Sequence, residues 1–361
     1  MSQRIGCIQP ARRLIDFHLT DPAEILRAVD KNIDALASLV DRAGQLGCDA
    51  AALPEDTLGL EHWAGIHPDL RQAVLVPAVE KMLTHLGATA AQHQMQLVCC
   101  NDHIEDDQRY NTAFFLGRDG REIGRYHKIN MPYSELGART RGDVYPVFTT
   151  PDLGDVGMLI CYDMVFPEAI RCLALNGADI VFVPTLGGAA MAGGSDMDRA
   201  AFRTRAVDNF VYLVVAMRES GSMIIAPNGD VLAEGGGPDE VLVADIDIDS
   251  GREGGNAFDW HRDIRARLFR ERVPASYDVL TQPEPPILKK LPNNDTPEEI
   301  TERCSRVLTV GEEAFRSADL LVAAGKVEEA KTAFAALCAE YRGSWIERVG
   351  KERLQKIGAQ T

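Results

Sequence analysis

Over roughly its first 250 residues the chain alternates short apolar runs with longer stretches of helical periodicity, and no other feature limits the fold as tightly. Residues 4–9 (RIGCIQ), 50–53, 97–100, 156–160 (VGMLI), 180–183 (IVFV), 211–216 and 241–248 read as strands. Between them, residues 22–46 place Ile25, Val29, Ile33, Leu36, Leu39 and Val40 on one helical face, with Gly47 as a stop. Residues 70–93, 167–176 and 198–209 read as further helices. Asp119-Gly120 and Asn228-Gly229 each sit between two strand-like runs and predict hairpin turns. Strands interleaved with helices, plus hairpins, imply an α/β layered fold built on mixed sheets.

Beyond about Ser250 the pattern changes. The division expected is a main domain over 1–275, a Pro-rich linker over 276–297 and a helical extension over 298–361. In the extension Ile300, Cys304, Val307, Gly311, Ala314, Ala318 and Leu321 recur at helical steps. After Gly325-Lys326, Val327, Ala330, Phe334, Leu337 and Tyr341 do the same, and a third helix is expected from about 345 to 357. The pair resembles a tetratricopeptide-type hairpin. One such unit cannot bury its own apolar face, so it is expected to dock on the main domain, a partner subunit or another protein.

The net charge of −16 disfavours nucleic acid as a partner, since phosphate binding calls for a basic surface. The N-terminal residues MSQRIGCIQP contain no apolar leader, and no stretch approaches the roughly 20 apolar residues of a membrane helix. A cytoplasmic location without membrane association is therefore expected. The eight cysteines form no C-x-x-C pair and no zinc-like spacing with histidine, so reduced thiols and no metal are expected. Most buried cysteines act as small hydrophobes.

Three polar residues follow three of the core strands: Glu55 after Ala-Ala-Leu-Pro, Lys128 after Gly-Arg-Tyr-His and Cys161 after Gly-Met-Leu-Ile. Open α/β folds gather their sites at such strand ends. There a cysteine can act as a nucleophile if a base takes its proton and a cation steadies the thiolate. Glu55 can be that base, and Lys128 can donate to the thiolate and then to an oxyanion. Taken singly, a glutamate after a strand is usually solvated and a lysine usually snorkels. Their joint appearance carries the weight.

The segments L-P-E at 53–55, R-Y-H-K-I-N-M-P at 125–132 and L-I-C-Y-D-M-V-F-P-E at 159–168 resemble the three signature segments of the nitrilase, or carbon–nitrogen hydrolase, superfamily. Tyr110-Asn111-Thr112, Gly142-Asp143, 205–209 (RAVDN) and 226–229 (APNG) agree, and the likeness spans about residues 3–250. The resemblance implies an α-β-β-α sandwich that pairs with a second subunit as a homodimer or higher homo-oligomer. It implies catalytic roles for Glu55 as general base, Lys128 as oxyanion-stabilising cation and Cys161 as nucleophile. Glu135 resembles a second glutamate placed beside the triad, against the alternative of a solvated loop carboxylate. The backbone N–H of Tyr162 would be the second oxyanion donor at the substrate. No cofactor is implied. The C-Y-D-x-x-F-P-E form around Cys161 is more similar to the amidase and carbamoylase branches, so the expected partner is a small amide or N-carbamoyl substrate. Nitrile hydrolysis by the same triad is one alternative; a non-catalytic dimeric scaffold with a partner-binding helical tail is the other.

Several features look like sites and are better explained otherwise. Asp245, Asp247 and Asp249 mimic a calcium loop, but Ser250 and Asn256 stand where such a loop needs Gly and Glu. A strand with one polar face explains them. The Gly/Ala-rich run at 186–194 has no GK[ST] ending and is expected to border the pocket. Cys99 and Cys100 read as structural, His127 has no metal-like partner, and no G-x-S-x-G is present.

Overall fold

The computed structural model describes residues 2–132, 135–186, 195–249, 263–291 and 296–359. In chain order its first unit contains β1 (Gln3–Gln9), α1 (Pro22–Gln45), β2 (Ala50–Ala52), α2 (Glu61–Ile66), α3 (Arg71–Gln92), β3 (Gln96–Glu105), β4 (Gln108–Leu116) and β5 (Glu122–His127). There follow β6 (Val147–Thr150), β7 (Gly154–Met158), α4 (Pro167–Leu175), β8 (Ile180–Pro184), α5 (Ser195–Asn209), β9 (Tyr212–Ala216), β10 (Met223–Ile225), β11 (Val231–Glu234), β12 (Glu240–Ile246) and α6 (Ile264–Arg270).

The strands form two six-stranded sheets, in the orders β12-β1-β2-β3-β4-β5 and β11-β10-β9-β8-β7-β6. In each, parallel strands lie at the centre (β1, β2, β3 and β7, β8, β9) and antiparallel strands at the edges. The period of two along each strand assigns its faces. Ile5, Cys7, Ala50, Ala52, Val98, Cys100, Ala113 and Phe115 point into one core with Met158, Phe182, Val183 and Val214 of the second sheet. Their neighbours Ile8, Ala51, Leu97, Cys99, Phe114 and Leu116 point the other way, against Val29, Ile33 and Leu36 of α1 and Leu75, Val79 and Met82 of α3. On the far side, Ile170 and Leu173 of α4 and Phe202 and Ala206 of α5 close the second sheet. The layers run α-β-β-α, as the resemblance implied.

Differences from the expectation are local. A strand (β6) pairs antiparallel with β7, and a short helix (α2) follows Leu60; neither was foreseen. β3 and β4 are longer than expected and are joined at Asp106-Asp107, both with positive φ (48° and 59°). β12 carries Ala244 and Ile246 inward and Asp245 outward, paired with Arg4 at 2.7 Å, so Asp245 lies on a polar strand face, whereas Asp247 and Asp249 fall beyond the strand, in a turn where Asp249 N–H donates to Asp247 Oδ1 at 3.1 Å. The Gly/Ala-rich run expected to border the pocket lies, from 187 to 194, outside the described residues, as do 292–295 of the Pro-rich stretch. Just before and within that stretch the described residues form short 3₁₀ turns at Pro274–Ser276, Asp278–Thr281 and Pro286–Lys290. Among the described residues no helix is long and apolar enough to cross a membrane.

The chain divides into two compact units, Met1–Met131 with Arg139–Asn293, and Pro132–Ala138 with Asn294–Thr361. The second holds α7 (Pro297–Arg306), α8 (Glu312–Ala323), α9 (Val327–Glu340) and α10 (Trp345–Ala359), with a π-helical turn at Val307–Gly311 between the first two. Thr296 and Glu299 form a reciprocal capping box with Pro297 at the first turn, which sets where α7 begins. Gly325, at φ +73°, ends α8 in a conformation that an L side chain resists. Phe315, Ala318, Ala330, Phe334, Leu337, Tyr341, Ile346 and Ile357 form a core of their own.

Candidate active site

Glu55 lies three residues beyond β2, and the chain there is pinned to β3. Leu53 N–H donates to Val98 O at 2.8 Å, Thr57 N–H to Cys100 O at 2.7 Å, and Leu58 N–H to Asn101 Oδ1 at 3.1 Å. Asp56 adopts φ +50° and accepts from the N–H groups of Leu60 and Glu61, opening α2. Arg218, just past β9, donates to the main-chain oxygen of Glu55 at 3.0 Å and to Asp56 Oδ2 at 2.8 Å. Burial pushes the Asp56 carboxyl up to about 7; Arg218 pulls against that, and Glu61 adds to it. Glu55 is only 1% exposed, yet its carboxylate is well supplied with donors. Oε1 accepts from Asn111 Nδ2 at 2.7 Å and Lys128 Nζ at 3.0 Å, and Oε2 from Leu186 N–H at 3.1 Å. Donors of this kind offset the desolvation of a buried polar group.

Lys128 follows β5 directly, and its N–H continues the ladder to Asn111 O at 2.9 Å. Gly142 N–H donates to Lys128 O at 3.0 Å, an approach so close that a Cβ on Gly142 would stand 2.2 Å from His127 O. Lys128 is 1% exposed, so its ammonium and the Glu55 carboxylate form a buried ion pair.

Cys161 opens a 3₁₀ turn, Cys161–Val165, three residues past the end of β7. It is half-buried and holds φ +44°, the left-handed region that a non-glycine residue occupies at a cost. Asp163, fully buried, keeps the turn in place. Its carboxylate accepts from Ile160 N–H at 3.0 Å in its own turn, and from Asn130 N–H (2.8 Å), Asn130 Nδ2 (3.0 Å) and Tyr126 OH (2.8 Å) on the chain around Lys128. Burial raises the Asp163 carboxyl above its ordinary range despite these bonds, and raises the Tyr126 phenol as well. One carboxylate thus joins the residue before Cys161 to the residues on either side of Lys128.

The structure therefore brings Glu55 and Lys128 into contact and ties the Cys161 turn to the lysine segment. Tyr162 is half-buried, edge-on to Phe166 at 5.6 Å. Glu135 belongs to the second unit, in a turn where its N–H meets Pro132 O at 2.9 Å, and its role rests on the resemblance alone. Asn111 lay in a quoted motif without a role; Asp163 and Asn130 lay in the signature segments unnoticed; Arg218 carried no signal. Behind Asp56, Asp102 is buried between Arg109 and Arg139 (2.7 Å to the latter), and Arg139 also reaches Glu61 at 2.9 Å. Burial alone would raise Asp102, but the two guanidinium charges hold its carboxyl well below the usual range. Burial pushes the thiols of Cys7 and Cys48 up to about 12, which leaves them unreactive near neutrality. Among the described residues no group of three histidine, cysteine or acidic side chains could hold a metal ion.

The family model described as carbon-nitrogen hydrolase matches residues 21–254. A deaminated glutathione amidase from Synechocystis is 31% identical over 245 residues, covering 61% of this chain and 87% of that protein. A nitrilase from Pyrococcus abyssi is 33% identical (61% and 84%), and the human omega-amidase NIT2 27% identical (60% and 83%). Among solved structures, an amidase from Nesterenkonia is 25% identical with a TM-score of 0.56, covering 68% of this chain and 91% of that one. Another structure of that amidase, 23% identical at TM-score 0.59 (76% and 95%), carries the acetamide moiety of fluoroacetamide added at its active-site cysteine.

Proposed function

The chain belongs to the carbon–nitrogen hydrolase family, and on that premise we propose that it hydrolyses a small amide or N-carbamoyl compound through a thioester on Cys161. Glu55 takes the Cys161 proton as sulfur attacks the carbonyl carbon. Lys128 and the Tyr162 N–H hold the developing oxyanion, each such donor contributing about 3–4 kcal/mol in well-studied hydrolases. Glu55 returns the proton to the departing ammonia or amine. It then activates the water that releases the acid from sulfur. Glu135 steadies Lys128 and substrate in this reading, and the working protein is a homodimer or higher homo-oligomer. The observation that carries the proposal is the buried Glu55–Lys128 pair, whose carboxylate also accepts from Asn111 and Leu186: a preorganised base beside a cation. The amidases among the relatives and the C-Y-D-x-x-F-P-E segment favour amides over nitriles.

Ammonia release from a panel of amides, N-carbamoyl amines and nitriles tests it. Turnover of amides or carbamoyl compounds, lost by a factor of at least roughly 10³ in Cys161→Ala, is expected for loss of a nucleophile. Turnover of nitriles alone would overturn the branch, and an active Cys161→Ala would overturn the mechanism.

A further inference from the structure

Glu55 follows a strand of the first sheet, yet it is held from the second sheet at both ends. Leu186, two residues past β8, donates its N–H to the carboxylate at 3.1 Å. Arg218, two residues past β9, donates Nη2 to the main-chain oxygens of Glu55 (3.0 Å) and Asp56 and to Asp56 Oδ2 (2.8 Å). The arginine itself hangs from a fixed frame. Met217 N–H donates to Ser222 Oγ at 2.9 Å, Ser222 N–H to Gln9 Oε1 at 2.9 Å and Glu219 N–H to Pro10 O at 3.0 Å. The Arg218 and Asp56 side chains are only 9% and 5% exposed, so their pair escapes the screening that weakens surface ion pairs.

Asp56 holds φ +50°, a conformation that a side chain resists and that neighbouring bonds must maintain. Arg218 supplies such bonds, and one of them falls on the main chain of Glu55 itself. We propose that Arg218 is a positioning residue: by gripping Asp56 and the Glu55 main chain it aims the Glu55 carboxylate at the Cys161 proton. This rests on the reading of Glu55 as the general base. The grip also depends on pH. Burial pushes the Asp56 carboxyl up to about 7; Arg218 at the end of β9 pulls it down, while Glu61 of α2 and Asp102 of β3 push it further up. Above that value the carboxylate is charged and pairs with Arg218; as acid is added it takes a proton and the pair loses its attraction.

Two measurements test this: amide or carbamoyl turnover and, free of substrate, the rate of iodoacetamide alkylation at Cys161 by mass spectrometry, with Glu55→Gln as reference. Arg218→Gln is expected to lower kcat by about 10- to 100-fold with KM within about twofold, and to slow alkylation as Glu55→Gln does. Arg218→Lys should recover most of the loss, because all three bonds leave one nitrogen and an ammonium also offers three donors. In the unaltered protein kcat should fall as pH drops through about 7. Asp56→Asn should lack that limb and stay as slow throughout as the unaltered protein in acid. Unchanged kcat and alkylation in Arg218→Gln, no recovery in Arg218→Lys, or a limb that persists in Asp56→Asn overturns the inference. Should a thermal melt find Arg218→Gln unfolded at the assay temperature, Asp56→Asn decides. Should no compound be turned over, the functional reading falls separately and alkylation decides. Alkylation unchanged in Glu55→Gln overturns the base and the inference together; alkylation slowed there but not in Arg218→Gln overturns the positioning alone.

Discussion

Removing the Asp163 carboxylate would take the acceptor from the buried Ile160 amide and Tyr126 hydroxyl and from the half-buried Asn130 amide. Unmet buried donors each cost on the order of 1–3 kcal/mol, so Asp163→Ala is expected to lose about 3 kcal/mol or more by urea denaturation. A loss under 1 kcal/mol would mean that this carboxylate does not brace the turn. Asp102 gives the pH dependence. Its folded pKa lies below the unfolded value of about 3.9, so its contribution is complete above that value and fades as acid is added, because the unfolded chain takes up the proton first. The acid limb of stability should therefore be steeper in the unaltered protein than in Asp102→Asn; parallel limbs below about pH 4 would refute this. Glu55, Lys128 and Cys161 stand out in the sequence because each belongs to a local string of distinctive residues. Arg218 does not, since its partner Asp56 is 162 positions away and nothing local marks an arginine that reaches back so far.

Elements were legible where periodicity was long. The α1 stripe of Ile25, Val29, Ile33 and Leu36 is buried throughout, and the Asp119-Gly120 hairpin joins β4 and β5 as expected. β6 was missed because its four residues, VFTT, make an edge strand too short for alternation to register. The turn between β3 and β4 was missed because Asp106-Asp107 lacks the glycine that usually announces two positive φ values. That absence is also a weakness. Asp107→Gly should stabilise the protein by roughly 0.5–1 kcal/mol, since the turn then needs no side chain in the left-handed region. A lower midpoint in urea would show that Asp107 contributes something the backbone angles do not reveal.

At the scale of the molecule, the two units have separate cores: one packs the two sheets and their covering helices, the other α8, α9, α10 and the turn between α9 and α10, with Val307 of the π turn against it. Phe334, fully buried and edge-on to Phe315 at 5.2 Å, is the largest wholly buried side chain of the smaller core. Phe334→Ala should cost that unit about 3–5 kcal/mol and shift one of two calorimetric transitions downward, with ammonia release unchanged. A parallel fall in activity would tie the helices to the reaction. The helical extension was visible in its heptad-like steps, whereas the π turn between α7 and α8 left no trace in them.

Five strands of the first sheet, β1 to β5, come from the first 127 residues, while the turn that bears Cys161 belongs to the second sheet. Proteins are made from the N-terminus at roughly 5–20 residues per second. The ribosome thus delivers the carboxylate and the ammonium first, on strands that can already pair, and the thiol only afterwards. Under the proposed mechanism, an interrupted translation product would carry the two charges without the proposed nucleophile. The sheet that began the chain is completed last, when β12 pairs with β1 at its edge.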